Sequence, residues 1–100
     1  MIILVGFEKI EELFSKKYSL SILRFLIGAE HGAGFNALLK DIPGATPRII
    51  SARLKELEAL KLVQKNLVLG AKPKIEYRAT PKTIALKKTL TEAEKWGKEL

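Results

Sequence analysis

A threonine followed by proline occurs twice, at Thr46-Pro47 and at Thr80-Pro81, and each pair opens a run with helical periodicity. Threonine caps the orphan N–H groups of a first helical turn, and proline suits the first helical position because its missing N–H had no partner there. Each pair therefore predicts a helix start. Leu62 to Leu69 is rich in Val and Leu, Gly70-Ala-Lys-Pro-Lys74 carries turn residues, and Ile75 to Ala79 alternates apolar with charged. This predicts a β-hairpin with a basic tip, held between a helix from Pro47 to Lys61 and one from Pro81 towards Leu100.

Upstream, Phe7, Ile10, Leu13 and Phe14 recur at helical spacing among glutamates and lysines, which predicts an amphipathic helix from Phe7 to Lys17. From Ser19 to Gly28 the residues Leu20, Ile22, Leu23, Phe25, Leu26 and Ile27 are apolar almost all round, the pattern of a core helix. Gly28, Gly32 and Gly34 stop it in a turn, and a short helix, Phe35 to Asp41, ends before Pro43-Gly44. The fold class is mainly α with a small β-hairpin, in the order helix, helix, helix, helix, hairpin, helix. Two helices joined by a tight turn and followed by a hairpin give a winged helix-turn-helix, with extra helices at both ends.

One hundred residues suit a single domain, 1–100, with a core too small to cover every apolar face. The first helical region, 1–17, and the last, 81–100, are expected to pair two copies, through Phe7, Ile10, Phe14, Leu86, Leu90 and Trp96, with Met1 to Val5 adding apolar surface. The chain lacks cysteine, which excludes a disulfide framework, Cys-ligated metal and thiol chemistry, and fits a cytoplasmic setting. The apolar start from Met1 to Phe7 is too short for a signal-peptide core or a membrane span, so no membrane is expected.

The formal charge of +7 favours a polyanionic partner, and its placement narrows the choice. On the Pro47 helix Ile49, Ile50, Leu54, Leu57 and Leu60 share one side, and Arg48, Ser51, Ala52 and Lys55 share the other. Double-stranded DNA is the expected partner of that second face, with Thr46 and Pro47 at its leading end. Arg48 can donate two hydrogen bonds to guanine, Ser51 can meet base or phosphate, Ala52 can touch a thymine methyl, and Lys55 suits phosphate. The stem of Arg53 lies on the apolar flank, and its guanidinium can reach a phosphate or a neighbouring glutamate such as Glu56 or Glu58. Lys65, Lys72 and Lys74 put positive charge around the hairpin, to lie on a phosphate backbone or in the minor groove.

The run LKDIPGATPRIISARLKELEALKLV, then IEYRAT, then the late KWG, resembles the HxlR family of winged-helix regulators and, more distantly, the MarR and ArsR groups. The likeness covers Tyr18 to Gly97. It implies a homodimeric transcriptional regulator on a roughly two-fold DNA site, with the Pro47 helix as reader, the Lys72 region as wing and the terminal helices as dimer contacts. Many relatives sense redox state through an N-terminal cysteine, and that property does not carry over to a chain without one. GAEHGAGFN is also more glycine-rich than the basic stretch expected ahead of the third helix.

His31 stands alone in its glycine loop, and Glu11-Glu12 and Glu56-Glu58 lie among lysines on helix surfaces. These are solvated side chains rather than a metal site or a carboxylate dyad. No phosphate-cradling loop or nucleophile elbow is present, so no cofactor and no enzymatic activity are expected. Two other readings stay open: a winged-helix module that binds protein or RNA, and a membrane-surface protein using its basic helices.

Overall fold

The computed structural model describes residues 5–100, and the apolar stretch 1–4, expected to add to a pairing surface, lies outside them. Helix α1, Val5–Ser15, is followed by α2, Ser19–Gly28, after a joint in which Tyr18 takes the left-handed conformation at φ 73°. Helix α3, Phe35–Asp41, and helix α4, Pro47–Ala59, are joined by a turn containing Gly44 at φ +86°. A side chain there would be strained by that angle, and its Cβ would lie 3.3 Å from the Tyr18 hydroxyl oxygen.

Strands β1, Val63–Val68, and β2, Lys74–Ala79, form the antiparallel hairpin in the register Val63 opposite Ala79 and Val68 opposite Lys74. The foot of the hairpin, at Val63 and Ala79, is buried, whereas Leu67 and Ile75, on the same face, extend beyond the core into solvent.

The core is built on α2. Ile22, Leu23 and Leu26 are buried against Leu38 of α3, Ile50, Leu54 and Leu57 of α4, and Val63 of β1. The all-round apolar pattern of α2 has this cause, since neighbours cover most of its circumference. Leu20 and Phe25 keep partial exposure where the covering ends.

The two threonine–proline starts behave differently. Thr46 caps α4 as its sequence requires, its Oγ1 accepting a hydrogen bond from the Ile49 N–H at 3.2 Å. The Thr80 hydroxyl instead donates to the Lys61 carbonyl at 2.8 Å, and buried Thr83 donates to the Leu62 carbonyl at 2.6 Å. These bonds tie the start of the last helical region to the hairpin foot. The expected helix from Pro81 towards Leu100 divides into α5, Pro81–Ile84, and α6, Lys87–Gly97. A tightened turn through Ala85 and Leu86 separates them, and it lets Leu86 and Leu90 lean on the core.

Candidate nucleic-acid interface

Helix α4 sorts its residues by side. Ile50, Leu54 and Leu57 are buried, and Arg48, Ser51, Ala52 and Lys55 are exposed, as are Thr46 and Pro47 at the leading end. The helix is fixed from beneath, so the polar face is presented by a rigid element rather than by a loop. Arg48 and Lys55 form no ion pair among the described residues. Their charges are therefore open to an outside anion.

Arg53 is placed differently from these. Its Nε donates to the Lys17 carbonyl at 2.9 Å, and its terminal nitrogen pairs with Glu56 at 3.3 Å, while Lys16 reaches the same carboxylate at 3.5 Å. The guanidinium is thus taken up in a clamp between α4 and the α1–α2 joint, with the side chain 22% exposed. Glu56 is one of the two glutamates within reach of Arg53 in the sequence. The Lys17 carbonyl, 36 residues away, carries no sequence signal.

The three hairpin lysines do not form one tip cluster. Lys72 is exposed in the connecting loop, Lys65 lies exposed on β1 opposite Tyr77, and Lys74 opens β2 in an ion pair with Glu76 at 3.3 Å. Around them Leu67, Leu69 and Ile75 are exposed, Leu69 at 78%. The hairpin end is therefore apolar as well as basic.

The glycine-rich segment has a role that sequence reasoning missed. Ala33 donates its N–H to the Tyr77 carbonyl at 2.9 Å and accepts from the Tyr77 N–H at 2.7 Å, which adds a one-residue third strand to the hairpin. Arg78 donates to the His31 carbonyl at 3.1 Å. Gly32, at φ +85°, makes this approach possible, because a Cβ there would lie 3.1 Å from the Tyr77 carbonyl oxygen. The segment thus fixes the hairpin relative to α2 and α3. A single bridging residue has no periodicity, so only the cluster of glycines could have hinted at it. Gly32→Ala is expected to cost about 1–2 kcal/mol, from the left-handed backbone alone. Denaturant unfolding measures it, and an unchanged midpoint would mean that the loop moves out of the left-handed conformation at no cost.

The end helices divide the residues expected at a pairing surface. Phe14, Leu86 and Leu90 are half-buried against the chain's own core, whereas Phe7, Ile10 and Trp96 are exposed at 61%, 53% and 64%. Arg24 of α2 donates to Glu94 of α6, and this hydrogen bond, with the attraction between the charges, raises the arginine pKa above its usual value. Such an exposed pair orients α6 more than it stabilises it.

Among the described residues no group of acidic, histidine or cysteine side chains could hold a metal ion, and no helix is long and apolar enough to cross a membrane.

Comparison with known proteins agrees with this architecture. Residues 13–100 match the family described as HxlR-like helix-turn-helix. The HTH-type transcriptional regulator YvaP of Bacillus subtilis is 34% identical over 94 residues, covering 93% of this chain and 84% of the relative. YkvN of the same organism is 33% identical over 92 residues, covering 92% of this chain and 76% of the relative. Among solved structures, the reduced form of the transcriptional regulator YodB from B. subtilis superposes with a TM-score of 0.85 over 100% of this chain and 95% of that one. At 24% identity that likeness is one of fold. A possible HxlR family transcriptional factor from Thermoplasma volcanium is 27% identical, with a TM-score of 0.73 over 85% of this chain and 74% of the other. With its α4 braced on a buried α2 and its hairpin tied to the glycine-rich segment, the chain belongs to the HxlR family and is a winged-helix transcriptional regulator, not an enzyme.

Proposed function

We propose that this regulator acts in the cytoplasm and binds double-stranded DNA as a homodimer, with α4 in the major groove and the hairpin against the backbone or minor groove. The observation that carries the reading is the division of α4, where a buried apolar side holds Arg48, Ser51, Ala52 and Lys55 out on a firm support. A helix presenting an arginine and small side chains in this way fits base edges, and Lys55 fits the flanking phosphates. Exposed Phe7, Ile10 and Trp96 support pairing, because they form apolar surface on the helices outside the minimal winged helix. Two-fold symmetry would set two α4 helices about 34 Å apart, in successive major grooves of a two-fold symmetric site.

Selection from random duplexes tests this reading, with sedimentation at micromolar concentration measuring the oligomeric state. A two-fold site bound by a dimer is expected, and a monomer without sequence preference would reject the proposal. On the selected site, replacing Lys72 and Lys74 by Ala is expected to flatten the dependence of log affinity on log salt by about 0.9 per lost phosphate contact. Lys72 is expected to account for more of the change, since Lys74 already has Glu76 as a partner. An unchanged slope would remove the hairpin end from the DNA contact. That result would favour the second reading, a protein-binding wing, which the exposed Leu67, Leu69 and Ile75 support.

A further inference from the structure

A groove of about 470 Å³ runs between α1, the C-terminal half of α4 and the foot of the hairpin, away from the exposed face of α4. That volume lies in the range of small-molecule sites, roughly 300–1,000 Å³. Its apolar lining comes from Ile10 and Leu13 of α1, Leu57 at the end of α4, and Leu60 and Leu62 just beyond it. Leu60 is 54% exposed, so the apolar lining is open to an incoming molecule.

The rim is basic. Lys9, Lys16 and Lys82 stand around the groove with Glu12 and Glu56. Glu56 already divides its charge between Lys16 and Arg53. Lys9 and Lys82 have no ion-pair partner among the described residues, which leaves two ammonium groups against the single carboxylate of Glu12.

We propose that this groove is a binding site for an amphipathic organic anion, a carboxylate carried on an aromatic or alkyl body. The apolar body would cover Leu13, Leu60 and Leu62 over a floor formed by buried Leu57, removing the surface of those three from water, and the carboxylate would reach Lys9 and Lys82 at the rim. A neutral apolar molecule would gain only the first of these contributions, and a polyanion only the second. The proposal does not depend on DNA binding, because none of the exposed α4 residues assigned to DNA lines the groove, but it rests on a pairing of copies that leaves the groove open, since Ile10 both lines it and is an expected pairing contact.

Calorimetric titration of the full chain, without DNA, tests the proposal with 2-naphthoate and its neutral counterpart 2-naphthamide as probes. The expected result is one naphthoate per chain, with the amide bound at least about tenfold more weakly, a factor worth about 1.4 kcal/mol. Lys9→Gln with Lys82→Gln is expected to weaken naphthoate about tenfold and leave the amide unchanged. Leu60→Trp, at an exposed position whose replacement spares the core, is expected to fill the groove and abolish uptake of both probes. Circular dichroism checks that the fold of each variant is retained. Absence of saturable uptake below about 1 mM, as would follow if a second copy covered the groove, overturns the proposal. Equal affinity for acid and amide, or naphthoate binding that survives Leu60→Trp, overturns it as well. Arg48→Ala is expected to keep naphthoate binding whether or not the chain reads DNA, so failure of one reading is separable from failure of the other.

Discussion

Leu54→Ala is expected to lower stability by about 2–5 kcal/mol, the range for truncating a well-packed buried leucine. Leu54 is 2% exposed and lies between Ile50 and Leu57 on the side of α4 that meets the core. The loss combines the burial free energy of the removed carbons with the cavity they leave, because a packed core relaxes only partly around a deleted side chain. Domains of this size typically have only about 5–15 kcal/mol of total stability, so a large share is removed by one substitution. In thermal unfolding followed by circular dichroism, the midpoint should fall by roughly 8–40 °C, at about 4–8 °C per kcal/mol. Ser51→Ala, one turn earlier on the exposed side, should stay within about 0.5 kcal/mol of the parent. Similar midpoints for the two variants would mean that α4 is not oriented with Leu54 inward, and the placement of the exposed face proposed to meet DNA would fall with it.

Arg48→Ala is expected to weaken binding to a selected duplex by about 1–3 kcal/mol while barely changing binding to random duplex, since contacts to base edges specify sequence and contacts to phosphates position the protein. Arg48 is exposed on the first turn of α4 and has no ion-pair partner among the described residues, so its loss leaves no buried group unsatisfied. The unfolding midpoint should therefore hold, which separates this substitution from Leu54→Ala. Arg53→Ala makes a useful contrast. It removes the hydrogen bond to the Lys17 carbonyl and the pair with Glu56, so its effect should appear in stability before it appears in sequence preference. Equal losses on selected and random duplexes with Arg48→Ala would assign that residue to phosphate rather than base.

Local order along the chain was legible in the sequence because its causes are local. The spacing of Ile50, Leu54 and Leu57 against Arg48, Ser51 and Lys55 determines which side of α4 is buried, whatever packs on it. Thr46 caps the helix it precedes, and the glycine and proline residues between Leu69 and Lys74 turn the hairpin where the pattern breaks. What only the tertiary structure decided involves partners distant in the chain. The Thr80-Pro81 start reads like Thr46-Pro47, yet the Lys61 and Leu62 carbonyls claim the hydroxyls of Thr80 and Thr83, so the Thr80 side chain does not cap the helix it precedes. Arg53 is drawn from the surface by a carbonyl 36 residues earlier. Leu86 and Leu90 have the same apolar character as Trp96, but the turn before α6 and its first residues lean those two on the core, while Trp96 further along is left in solvent. The physical reason is common to all three cases. Periodicity and capping act within a turn or two of the chain, whereas a hydrogen bond or apolar contact across the fold depends on where two separate elements come to rest.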